Sequence, residues 1–258
     1  MTRILFRLWL WIIPSVFLLV MLAIVVGQSM PRYVLVFVHR HPIQDMFIYD
    51  LTRDVEANLT HDPPLEFMPL WSPDYQKIVF MSDDGSGYLR LAVIDVDGQN
   101  RHWLAEGNYG GVRWLPDGSG LLAVKSNARN ALDLYVLGLD GSATPADINQ
   151  PEMQRYIDEI SVSEYPSPDG ERAVYYDECG AQWCVFVREG DTTTPIYTFL
   201  DTEEPRFREE IVWSPDGRYL AFTVIYTTQN GLWNIYVIDS HDTQKRVALI
   251  PNAFAPNW

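Results

Sequence analysis

A short turn signature returns along this chain at nearly constant distance, and that recurrence limits its fold more than any other feature. It reads Leu70-Trp71-Ser72-Pro73-Asp74, then Arg113-Trp114-Leu115-Pro116-Asp117-Gly118. It returns as Tyr165-Pro166-Ser167-Pro168-Asp169-Gly170 and as Val212-Trp213-Ser214-Pro215-Asp216-Gly217. A last echo, Ala253-Phe254-Ala255-Pro256-Asn257-Trp258, ends the chain. Referred to the Trp position, the marks fall at 71, 114, 166, 213 and 258, with spacings of 43, 52, 47 and 45 residues. A period of this size marks an array of small supersecondary units that bury their apolar faces only against one another.

The chemistry of the signature says what each unit is. Pro presets φ at the second position of a tight turn, Asp suits the third, and Gly accepts the positive φ that follows. The signature therefore joins two antiparallel strands. Short, almost wholly apolar runs follow each copy, at 77–81, 121–124, 172–176 and 219–223, as expected of strands covered on both faces. A third strand comes next, at 89–95, 132–137, 183–187 and 233–239, and a weaker fourth closes each unit, for example 246–250. Four antiparallel strands per unit make one blade, so the expected fold class is all-β, a β-propeller.

At this point a resemblance enters. An aromatic followed by Ser-Pro-Asp-Gly, then an apolar strand and an Ile-Tyr-Val-Ile-Asp-like strand with an Asp-Gly turn, resembles the WD-repeat-like blade of the TolB-like propellers. The likeness covers residues 33–258. It departs at Tyr75, which stands where the Gly is expected, at Leu115 in place of Ser, and at Pro166 in place of Trp. The resemblance implies an exported, non-catalytic propeller that binds protein or peptide, with Trp71, Pro73, Asp74, Trp114, Pro116, Asp117, Pro168, Asp169, Trp213, Pro215 and Asp216 as its repeat residues.

Four complete units lie at about 67–105, 111–150, 161–200 and 209–250, and two fragments remain. Residues 33–38, 46–50 and 57–60 match the second to fourth strands of a blade, and 252–258 match a first strand. Each fragment supplies what the other lacks. Together they predict a fifth blade closed by both chain ends, which removes the free sheet edges that template aggregation. TolB relatives usually have six blades, so five is a departure; an open, truncated ring is the competing reading.

Residues 8–26, Leu-Trp-Leu-Trp-Ile-Ile-Pro-Ser-Val-Phe-Leu-Leu-Val-Met-Leu-Ala-Ile-Val-Val, carry no charge. As a helix they span about 28 Å, close to the hydrocarbon thickness of a bilayer. Arg3 and Arg7 precede them and favour a cytoplasmic N-terminus. We read residues 1–29 as a cytoplasmic stub plus a transmembrane signal anchor, and 30–258 as the propeller, placed on the extracytoplasmic side of the cell membrane. A cleaved signal peptide, cut near Gly27 or Ser29, is the alternative, although nineteen residues exceed the usual length of such a core.

The net charge of −15 excludes nucleic acid as a partner, since such a surface repels phosphate. The two cysteines, Cys179 and Cys184, lie too far apart for a Cys-X-X-Cys redox pair and lack further ligands for a metal; in an exported domain they predict a disulfide. His39 and His41 fall on one side of a strand without a third ligand, and Asp95-Val96-Asp97-Gly98 has no downstream Glu at calcium-loop spacing. Neither a metal nor a cofactor is expected. Hydrolase elbows, phosphate loops and zinc-protease motifs do not occur.

Propeller topology places the second-to-third-strand loops and the blade-to-blade connections on one face. The longest connection, 142–159, carries Glu152, Tyr156, Asp158 and Glu159, and the next carries Asp201, Glu203 and Glu204. With Asp83, Asp84 and Glu178 they predict an acidic rim, a candidate surface for an unknown protein or peptide partner. The alternative is an enzyme of glycosidase type, in which Glu159, Glu209 and Glu210 would pair as acid and base at the channel mouth, about 5–10 Å apart. Clustered carboxylates favour catalysis and dispersed ones favour binding.

Overall fold

The computed structural model describes residues 33–40, 44–61, 65–83, 89–106, 109–126, 132–147, 149–150, 164–205, 211–227, 231–242 and 246–258. The apolar run at 8–26 lies outside them. Among the described residues no helix is long and apolar enough to cross a membrane.

The described chain is a succession of antiparallel strands. Blade 1 holds β1 (Val34–His39), β2 (Met46–Asp50) and β3 (Val55–Asn58); blade 2 holds β4 (Leu65–Trp71), β5 (Lys77–Asp83), β6 (Leu89–Asp95) and β7 (His102–Glu106). Blade 3 holds β8 (Tyr109–Trp114), β9 (Gly120–Ser126), β10 (Leu132–Gly138) and β11 (Ala143–Pro145). Blade 4 holds β12 (Tyr165–Pro166), β13 (Arg172–Cys179), β14 (Gln182–Glu189) and β15 (Thr192–Thr198). Blade 5 holds β16 (Glu203–Pro205), β17 (Ile211–Trp213), β18 (Tyr219–Tyr226), β19 (Leu232–Asp239) and β20 (Arg246–Pro251), and β21 (Ala253–Asn257) ends the chain.

The last strand pairs with the first. β21 lies antiparallel to β1, with Val36 opposite Asn257 and Val38 opposite Phe254, so blade 1 is ordered β21-β1-β2-β3. Both chain ends thus build one sheet, the arrangement that the two sequence fragments predict. Five antiparallel sheets result. One departs from expectation: residues 203–205, read from sequence as loop, form β16, which pairs β18 beside β17. The eight-residue β18 is long enough to hold both short strands end to end.

The copies of the turn signature that contain Ser share one geometry. In three copies the Ser hydroxyl donates to the Asp two residues on, at 2.6 Å in Ser72–Asp74 and 2.8 Å in Ser214–Asp216, and likewise in Ser167–Asp169. The same hydroxyl accepts the N–H that opens the next strand, from Lys77, Arg172 and Tyr219. Positive φ falls on Gly118, Gly170 and Gly217, and on Tyr75, where no Gly is present. The carboxyl groups of Asp74, Asp117 and Asp169 are held below the usual carboxylate range, in each case chiefly by hydrogen bonds from within the turn.

In two copies the Trp of the signature ties one blade to the one before, while the Trp71 and Trp258 indole N–H groups are buried without such a bond. Trp114 Nε1 donates to Leu70 O at 3.1 Å, and Trp213 Nε1 to Tyr165 O at 3.0 Å. Blade 4 has Pro166 at this position and no indole to offer; its inner strand β12 is only two residues long. Core packing follows the ring. Alternate side chains of β1 face opposite neighbours: Val34, Val36 and Val38 pack with blade 2, while Leu35 and Phe37 pack with blade 5. Further clusters join blades 2 and 3 and blades 4 and 5. Among the described residues no core cluster spans blades 3 and 4; the cluster around Leu122 and Leu134 stays within blade 3. The segment 151–163, which connects those two blades, lies outside the described residues.

Candidate functional site

On the turn-signature face, cross-blade hydrogen bonds join blade 5 to both of its neighbours. Arg172 donates to Ser240 Oγ and to the Gly217 carbonyl, and the Tyr33 hydroxyl donates to Asp216. The opposite face carries the loops. Of the residues predicted there, Glu152, Tyr156, Asp158 and Glu159 lie outside the described residues, as do Asp84, Glu209 and Glu210. Glu204 is placed in β16, with its side chain outside the description. Glu178 is exposed and Asp83 half-buried.

Glu203 is not on a solvated rim. Only 6% of it is exposed, and its Oε2 accepts from the Tyr197 hydroxyl at 2.7 Å and the Leu200 N–H at 3.0 Å. Burial, followed by the hydrogen bond to this carboxylate, pushes the Tyr197 hydroxyl far above the ordinary phenol range. Glu203 therefore acts as a fixed acceptor that holds the connection between blades 4 and 5 in shape.

Above it is a groove of about 350 Å³, lined by Ala181, Gln182, Trp183, Phe199, Leu200, Asp201 and Glu203. Two parts of the loop face meet there: the β13–β14 hairpin and the blade 4 to blade 5 connection. Cys179 and Cys184 are joined in a disulfide beside the turn of that hairpin, with Cα atoms 5.8 Å apart. The Phe199 N–H donates to the Trp183 carbonyl, and Gln182 Nε2 to Asp201 Oδ1 at 2.9 Å. The groove is thus braced from two sides, and its open rim sets two apolar side chains, Trp183 at 38% and Leu200 at 59% exposure, beside the polar Gln182 and Asp201. The sequence places Trp183 at the start of a third strand and does not mark it as a surface residue. The available signal was its place immediately after a tight turn closed by two cysteines.

A second concavity, about 640 Å³, lies at the ring centre against inner-strand residues of all five blades. Its wall includes Leu70, Arg113, Tyr165, Val212 and Asn257, the residues that precede the Trp position in each repeat. Three inner strands bulge toward it by the same device. Met68, Gly111 and Ala255 all have positive φ, each three residues before its Trp, and the ladder slips register at each place. Among the described lining residues none is Asp or Glu. Nor does any group of three or more His, Cys, Asp or Glu stand together as metal ligands among the described residues. His39 makes a 3.1 Å contact with Glu56 and packs edge-on against Phe47; His41 lies outside the described residues.

The architecture can now be set beside known proteins. TolB from Acinetobacter baumannii superposes on 88% of this chain and 66% of its own, with a TM-score of 0.50 at 13% identity. The fold is a TolB-like β-propeller. The chain spans just under two thirds of that TolB-like relative's length. A propeller in a nidogen/laminin complex aligns over 87% of this chain and 97% of its own, at TM-score 0.45 and 9% identity. An oligogalacturonate lyase from Vibrio parahaemolyticus aligns over 78% and 56%, at TM-score 0.37 and 16% identity. No protein-family model and no curated protein sequence matches the chain. Likeness at such identities establishes the fold and leaves activity to the residues.

Proposed function

We propose that this chain is a membrane-anchored, extracytoplasmic propeller that binds a protein or peptide partner through its loop face. The groove at Trp183 and Leu200 carries the reading. An exposed aromatic and an exposed Leu flank Asp201 on a scaffold held by a disulfide, by the Gln182–Asp201 hydrogen bond and by the part-buried bonds to Glu203. Rigid aromatic anchors beside charge are what binding hot spots are made of, and loops held on a stiff scaffold are where binding residues concentrate. Net charge of −15 and the carboxylate of Asp201 favour a basic segment as the partner's contact. Glu204 of the same connection, and Glu152, Tyr156, Asp158 and Glu159 of the neighbouring one, extend this surface in the proposal.

Placement outside the cytoplasm rests on the apolar run at 8–26, on Arg3 and Arg7 before it, and on the disulfide, which suits an oxidising compartment. The glycosidase alternative rests on Glu159, Glu209 and Glu210, which lie outside the described residues.

The test is capture by the purified chain of Lys/Arg-rich peptides with apolar flanks, against acidic peptides of equal length. Trp183→Ala is expected to weaken capture of the basic set about 30-fold, a hot-spot effect. Asp201→Asn should weaken it at low salt and have little effect at high salt, while melting stays unchanged. Equal capture of basic and acidic peptides, or full capture by Trp183→Ala, contradicts the reading.

A further inference from the structure

The cavity at the ring centre carries a charge that the loop face does not use. Arg113 stands on its wall among apolar groups, including Leu70, Trp114, Ile211 and Phe254. Among the described residues its one hydrogen bond runs from Nη1 to the carbonyl of Val112, its own chain neighbour, at 2.8 Å. A guanidinium has five N–H donors, so most of its capacity is unspent. The other arginines with described cross-strand partners are satisfied: Arg101 by Glu66, Arg218 by Asp239, Arg188 by Glu164. Arginines that lack a carboxylate partner among the described residues spend themselves otherwise: Arg40 on the Gly231 carbonyl and the Trp233 ring, Arg172 on Ser240, the Gly217 carbonyl and the Trp213 ring, whereas Arg113 has only the Val112 carbonyl there.

The position itself carries information. In the five repeats the residue before the Trp position is Leu70, Arg113, Tyr165, Val212 or Asn257. No turn or ladder requires a charge there, since four blades manage without one. An Arg that folding does not need, set in a low-dielectric wall, attracts an anion more strongly than the same group in water. At about 640 Å³ the cavity has the size of a small-molecule site, and an apolar wall with few placed polar groups is the usual make-up of one.

We propose that the central cavity binds a small apolar carboxylate, with Arg113 gripping the carboxylate and the inner strands enclosing the hydrocarbon. Guanidinium matches carboxylate in a two-bond fork, and the acidic surface elsewhere leaves this the one described place in the cavity wall suited to an anion.

The full chain in nanodiscs is titrated with phenylbutyrate, phenylbutanol and phenylbutylamine, read by calorimetry and by fluorescence of the wall residues Trp71, Trp114 and Trp258. Phenylbutyrate is expected to bind about tenfold or more tightly than the alcohol or the amine, as a charge-assisted pair requires. Arg113→Met should abolish that preference, leave the alcohol's affinity unchanged and keep the melting curve; Arg113→Lys should retain part of it. Equal binding of acid and alcohol, or a preference that survives in Arg113→Met, overturns the proposal. So does binding of an apolar tripeptide with a free C-terminus but not of phenylbutyrate, which would make the occupant a peptide end.

Discussion

Removing residues 252–258 is expected to abolish cooperative folding, although seven residues at a chain end look dispensable. They supply β21, the inner strand of blade 1, and bury Ala253, Phe254 and Trp258 in the clusters that join blade 1 to both neighbours. Truncating one buried Phe or Trp costs about 3–5 kcal/mol. Loss of two, against a total domain stability of about 5–15 kcal/mol, leaves little to hold the ring. It also bares the edge of β1, whose five apolar residues Val34 to Val38 then offer a template for pairing between chains. Thermal unfolding by circular dichroism, with light scattering to follow aggregation, checks this. Phe254→Ala alone should lower stability by about 3–5 kcal/mol and keep the fold. A truncated chain that melts with the intact one would mean that the ring does not depend on its C-terminal strand.

The second large effect concerns a charge buried between blades 1 and 2. Glu66 is fully buried; it accepts from Arg101 at 3.0 Å, from the Met46 N–H at 3.0 Å and from the Thr60 hydroxyl. Arg101 also reaches Ser82 at 3.1 Å and lies over the Phe80 ring. Burial raises the Glu66 carboxyl from 4.5 to about 7; the Thr60, Arg101 and Met46 contacts oppose this and nearby Asp45 adds to it. A carboxyl held higher in the fold than in the unfolded chain makes its favourable contribution at low pH. That contribution falls as pH rises from about 4.5 to about 7, by roughly 3 kcal/mol. Arg101→Met should therefore be strongly pH-dependent. Above about pH 8 it strands a buried carboxylate and costs about 3–5 kcal/mol. Near pH 5 Glu66 is protonated and the cost should drop to less than half. Glu66→Gln should flatten the wild-type slope over the same range. Urea titrations at the two pH values decide it; an equal cost of Arg101→Met at both would show that Glu66 does not titrate there.

Much of this architecture is legible in the sequence because it is local. Ser-Pro-Asp-Gly specifies a turn through φ preferences and hydrogen bonds spanning six residues, so four copies locate four hairpins, and Leu115 or Tyr75 can depart without loss because the backbone bonds remain. Chain closure is legible for a different reason: the two terminal fragments complement each other strand for strand. Features that depend on neighbouring blades are less so. Glu203 looks like one more loop carboxylate, yet Tyr197, from the preceding blade, turns it inward. The bulges at Met68, Gly111 and Ala255 share no residue type, and only their common distance from the Trp betrays them. Arg113 is not legible from its own repeat, because its meaning lies in being the one charged residue among the five that share its position.

Closure of a five-bladed ring by its own ends is tested most directly by amide hydrogen exchange of the peptide 253–257 in the intact chain. As the inner strand of blade 1, hydrogen-bonded to β1, its ladder amides should exchange as slowly as those of β4 and β8, the inner strands of blades 2 and 3. Exchange of all five residues at the rate of an unstructured tail would contradict the closed ring.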